Sequence, residues 1–157
     1  MYEASQDQWR GRLRLVSADR TIPRRTDPLT EPERDAIEVW LPKGTNLLTH
    51  VRGRVTRDGR PVWVLTTAGM LIGLLTDEGV GRVRARAEWL PAEQLRRIDL
   101  ETDGEIALLR VVTMTRRFVL SGLDRDRGER FVALVRATMA ASIPARRHRP
   151  RFVGDAR

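Results

Sequence analysis

This chain has no cysteine, one lysine (Lys43), two histidines and one tyrosine among its 157 residues. Without cysteine there is no disulfide framework, no thiolate metal site and no thiol nucleophile. A stapled secreted scaffold is therefore excluded, and a reducing cytoplasmic setting is expected. Proton acceptors suited to catalysis near neutral pH are almost as scarce. His50 opens a strand pattern and His148 lies near the C-terminus; neither has a serine or carboxylate placed to complete a triad, so no enzyme activity is expected. Long apolar runs are missing as well. The longest uncharged stretch, Pro61 to Thr76, is interrupted by Gly69 and Gly73 and falls short of the roughly 20 residues a membrane-spanning helix needs. Residues 1–10 include Glu3, Asp7 and Trp9 and lack the basic start and apolar run of a signal peptide. Gly79 and Gly81 stand outside any phosphate-loop pattern, and no G-K-[ST] occurs, so nucleotide hydrolysis is not supported. Asp99, Glu101, Asp103 and Gly104 imitate the first half of a calcium loop, but Arg110 occupies the twelfth position, where a bidentate carboxylate belongs. That segment reads instead as a strand end with a hairpin turn. No metal and no cofactor are expected.

The residues that are present describe a folded protein. A hydrophobic fraction of 41% beside 32% charged residues is globular rather than disordered, and the length suits one domain with one core. The formal net charge is +8, and its distribution is uneven. Residues 10–25 hold six Arg and one Asp, residues 144–157 five Arg and one Asp, and residues 26–143 are close to neutral. A basic block at each end is the pattern of a chain that meets an acidic partner, and arginine suits bidentate pairing with carboxylate or phosphate. Preference for Arg over Lys also follows from a high-GC genome, such as that of a high-GC bacterium or its phage, but that would not gather the charge at the two ends.

Residues 10–16 alternate basic and apolar side chains like an edge strand. Thr30 as N-cap, Pro32 in the first turn and Glu33 at the capping-box position predict a helix over 31–41, with Ile37, Trp40 and Leu41 on one face and Pro42 and Gly44 ending it. From Leu47 the period becomes two. Val51, Gly53 and Val55 alternate with Arg52 and Arg54, and Asp58-Gly59 predicts a type I′ hairpin turn into a strand from Pro61 to Thr67. Ala68-Gly69 turns into Met70 to Thr76, and Asp77-Glu78-Gly79 turns again. In the next strand Val83, Ala85, Ala87 and Trp89 oppose Arg82, Arg84, Arg86 and Glu88, which predicts one core face and one wet face. Pro91 breaks it; Leu95, Ile98 and Leu100 follow, then a turn at Asp103-Gly104 and strands over 106–113 and 117–120. Asp124 caps a final helix whose apolar stripe is Phe131, Leu134, Val135 and Met139. The expected organisation is an N-terminal extension over 1–44, a β domain with its helix over 45–143, and a basic tail over 144–157.

An antiparallel meander of about seven strands carries a hairpin centred on Val64-Leu65-Thr66 and Gly69-Met70-Leu71-Ile72. Trp89-Leu90-Pro91 then precedes Ile98-Asp99-Leu100, and one helix closes the order. Over about residues 45–142 this resembles a bacterial pleckstrin-homology-like domain. The resemblance implies a mainly β, partly open barrel of two near-orthogonal sheets capped by the C-terminal helix. It also implies binding of proteins, peptides or sometimes lipid headgroups rather than catalysis. A headgroup site in that family's style falls on Arg54, Arg57 and Arg60.

The expected function is thus a non-enzymatic interaction module, an adaptor or subunit with a protein partner. Two alternatives use phosphate chemistry: a nucleic-acid-associated protein making backbone contacts, and a peripheral binder of anionic membranes. The candidate anion-binding residues are Arg52, Arg54, Arg57, Arg60, Arg82, Arg84 and Arg86 in the domain and Arg146, Arg147, Arg149 and Arg151 in the tail.

Overall fold

The computed structural model describes residues 27–142; the strand expected over 10–16 and the basic tail from 144 lie outside them. Helix α1 spans Glu31–Glu38 and opens on the expected capping box, in which Thr30 N–H donates to Glu33 Oε2 at 2.9 Å and Glu33 N–H to Thr30 Oγ1 at 3.4 Å. It stops three residues sooner than predicted. Pro42 disfavours helical geometry at Leu41 before it, and Trp40 turns away to donate its indole N–H to the Ala85 carbonyl at 3.0 Å.

Seven strands follow: β1 Leu47–Arg52, β2 Arg60–Thr66, β3 Gly69–Asp77, β4 Val83–Pro91, β5 Leu95–Asp103, β6 Ile106–Thr113 and β7 Arg117–Asp124, with a short 3-10 turn at Ala92–Gln94. They form two antiparallel sheets, β1-β2-β3-β4 and β5-β6-β7, and helix α2, Arg125–Ala141, closes the order. This is the mainly β arrangement expected, without a closed barrel. One side is joined where Arg54 N–H donates to Ser121 O at 2.7 Å, while β4 and β5 are each an outer strand of their sheet.

The first hairpin is shifted from its predicted centre. Reciprocal bonds between Thr56 and Gly59, 2.9 and 3.2 Å, enclose Arg57 and Asp58 as the two-residue loop, and among the described residues none other than glycine has positive φ. A type I′ turn on Asp58-Gly59 is therefore not formed. Gly59 answers to close packing instead, because a Cβ there would lie 2.4 Å from the Leu75 carbonyl oxygen.

Both faces of the first sheet are covered, which explains why Val62-Trp63-Val64-Leu65 is apolar without alternation. Trp63, Leu65, Met70 and Leu90 face the second sheet and α2, packing with Ile98, Leu109, Leu120, Phe131 and Val135. Val62, Val64, Leu71, Leu75 and Ala85 face the other way, beneath Leu29 and Ile37 of the α1 layer. The Val83, Ala87 and Trp89 row of β4 thus packs on α1 rather than between the sheets. At the far end, Gly122 (φ 68) is a bulge residue that carries β7 four residues past its predicted end, as far as Asp124. Asp124 then caps α2 by accepting from Arg127 N–H at 2.9 Å. The buried stripe of α2 is Phe131, Val132 and Val135, while Leu134, expected inside, is 44% exposed. No described helix is long and apolar enough to cross a membrane.

Candidate functional site

The arginines singled out in the sequence separate into two groups. Arg52 is only 4% exposed and Glu33 1%, and they meet bidentately: Nη2 to Oε2 at 2.6 Å and Nη1 to Oε1 at 3.1 Å. Arg52 also donates to the carbonyls of Asp27 and Pro28, at 3.2 and 2.9 Å. Arg52 is therefore not the surface anion-binding residue expected from the sequence: α1 lies over the face of β1 that the alternation marks as wet. Arg60 is drawn into the same latch, with Nη1 to Asp77 Oδ2 at 2.6 Å and Nη2 to Glu33 Oε1 at 3.5 Å. Burial alone would push the Glu33 carboxyl up, but the hydrogen bonds from Arg52 and Thr30 and the charges of Arg52 and Arg60 hold it below the ordinary glutamate value. The Asp77 contact raises the Arg60 guanidinium further.

His50, 8% exposed, belongs to this latch too, donating from Nε2 to the Asp27 carbonyl at 3.2 Å. Burial, helped by the charges of Arg52 and Arg127, lowers its pKa against the opposing hydrogen bond to Asp27 and the Glu33 charge. Of the three arginines around the first hairpin, Arg57 is exposed at the tip, Arg54 gives its backbone to the closure with β7, and Arg60 faces the latch. They do not form one open cluster. Among the described residues no group of three metal-capable side chains occurs, and Arg110 binds Glu101 at 2.8 Å where a calcium ligand would have stood.

The second group lies on β4. Arg82, Arg84 and Arg86 are exposed; Arg84 touches Glu78 at 3.3 Å, with both side chains more than half exposed, so that pair is weak. Cross-strand register sets Leu74 opposite Arg86 and Ile72 opposite Glu88, which places this row on the same side of the sheet as the inter-sheet core, at its uncovered margin. Arg116, from the turn between β6 and β7, reaches over to pair with Glu88 and stacks its guanidinium 4.9 Å from the centre of the Phe118 ring. A shallow groove results, lined by Trp40, Ile72, Arg84, Arg86 and Glu88.

Beside the groove runs the outer edge of β4. In an antiparallel ladder a residue's N–H and C=O point to the same side and successive residues alternate. The Arg82 carbonyl points to β3, accepting from Glu78, and the Ala85 carbonyl points outward to Trp40. The backbone groups of Ala87 and Trp89 therefore point outward as well, and no described residue pairs with them. The arginine row was legible from the alternation of residues 82–89. The edge was not, because sheet order is not written in a single strand.

No family model matches the sequence, and no curated protein matches it. Among solved structures, the chain is similar to a DUF1696-family protein with a pleckstrin-homology domain from Shewanella loihica (18% identity, TM-score 0.45, covering 71% of this chain and 92% of that one). It is also similar to a pleckstrin-homology domain from Shewanella amazonensis (19% identity, TM-score 0.41, 74% and 90%). The likeness is one of architecture alone, and the PH-like element order of four strands, three strands and a terminal helix is this chain's own. Helix α1 forms a layer over the first sheet and fixes Trp40 beside β4.

Proposed function

We propose that this PH-like domain is a non-enzymatic protein-interaction module of the cytoplasm, an adaptor or subunit that docks its partner along β4. The observation that carries the reading is the outer edge of β4, with the outward backbone of Ala87 and Trp89 unpaired among the described residues and arginines beside it. An exposed edge is a template for another chain, and folds usually cover or blunt it. Recognition modules exploit the same feature. Capture from host extract on the tagged full chain, after nuclease treatment, tests the reading: a stoichiometric protein partner is expected, and recovery of none overturns it.

The second reading, nucleic-acid association, is favoured by the Arg82, Arg84 and Arg86 row together with the basic segments 10–25 and 144–157. It requires affinity for a labelled duplex or single-stranded RNA that falls steeply with salt, by about 0.9 in the logarithm per phosphate neutralised. Binding that is absent at low salt removes it. Flotation with anionic vesicles tests the membrane alternative in the same way.

A further inference from the structure

We propose that the partner enters as an extended acidic strand, pairing with the outer edge of β4 at Ala87 and Trp89 with its carboxylates against Arg84 and Arg86. This rests on the protein-docking reading and specifies its chemistry. Four backbone groups, the N–H and C=O of Ala87 and Trp89, face outward in the register of an added strand. Trp40 ends the available edge by occupying the Ala85 carbonyl at 3.0 Å, and Pro91, which lacks an N–H, ends it on the other side.

The two sides of such a strand meet different surfaces, since successive side chains point to opposite faces. On one side stand Arg84 and Arg86, with Glu88 next along the row and paired to Arg116. On the other are Ala87, Trp89 and the 43% exposed Trp40. The matching sequence alternates acidic and apolar residues.

Charge decides among occupants. The chain's own terminal segments carry six and five arginines against one aspartate each, so they repel this edge. A second copy, added antiparallel so as to pair Ala87 with Trp89, sets Glu88 opposite its own counterpart, and like charges directly opposed disfavour that pairing.

The test uses the full chain and a displayed pool of decapeptides in which Glu or Asp alternates with randomised apolar residues, beside a matched pool carrying Lys or Arg. The acidic pool is expected to enrich. A synthesised winner is then titrated by anisotropy against wild type, A87P and R84E/R86E. A87P removes an outward donor that the ladder with β3 does not use. R84E/R86E alters only exposed side chains, so it keeps the test valid if A87P fails to fold. Affinity should fall by about tenfold or more in each folded variant, as lost edge bonds and reversed charges require, and hydrogen exchange at the Ala87 and Trp89 amides should slow when the peptide binds.

Enrichment of the basic pool, of neither pool, or of peptides that leave those amides unprotected overturns the proposal. So does dimerisation of the free chain that A87P abolishes. If host capture still returns a protein in those cases, the docking reading stands and only the acidic-strand inference falls; if it returns none, both fall.

Discussion

At the scale of single residues, the most consequential feature is the Glu33–Arg52 pair, because each group is buried and each is the other's main partner. Removing one leaves an uncompensated charge, so Glu33→Ala should cost about 3–5 kcal/mol of folding stability, read as a lower urea midpoint. The capping role of Glu33 was legible in Thr30-Glu-Pro-Glu. Its second role was not, since nothing in the spacing of residues 33 and 52 says that they meet. The same latch sets the response to acid. Both Glu33 and His50 have folded pKa values below their ordinary ones, so over each window the unfolded chain binds more protons and stability is lost as pH falls. Loss should begin as pH drops below about 6.5, the ordinary histidine value, and continue as it drops below about 4.3, that of glutamate. Urea midpoints between pH 7 and pH 5 should flatten in His50→Gln; an unchanged slope would show that His50 does not carry that limb.

At the scale of elements, most starts and turns could be read from the sequence, because caps and glycines are local signals. The errors arose where packing intervened. The predicted helix over 31–41 gives way at Glu38 because Trp40 is needed at the β4 edge. β7 continues through Gly122 by bulging, past the end expected at Leu120. In α2 the sequence placed Leu134 beside Phe131 and Val135 on one stripe, but Val132 turns inward in its place. Two substitutions separate these cases. Phe131→Ala should cost about 3–5 kcal/mol, whereas Leu134→Ala should stay within about 0.5 kcal/mol, both by chemical denaturation. Equal losses would mean that α2 is rotated about its axis from the orientation described.

At the scale of the whole molecule, the PH-like order of strands and helix was legible because hairpins and periodicity survive without tertiary information. The covering of both faces of the first sheet was not. Only β1 and β4 read as strands with one wet face; the unbroken apolar run Val62-Trp63-Val64-Leu65 is the one local sign of a second covered face, and the α1 layer over it is what buries Arg52 and leaves Arg84 and Arg86 as the open arginines of the sheet. The site follows from the same arrangement: an edge bounded by Trp40 and Pro91, basic on one side and apolar on the other. The most direct measurement is parallel, nuclease-treated capture from host extract on the full chain and on R84E/R86E, quantified by mass spectrometry. A protein partner recovered by wild type and reduced about tenfold or more in the variant, as reversal of interface charges should bring about, is the expected result. Equal recovery by the two chains would contradict docking along β4.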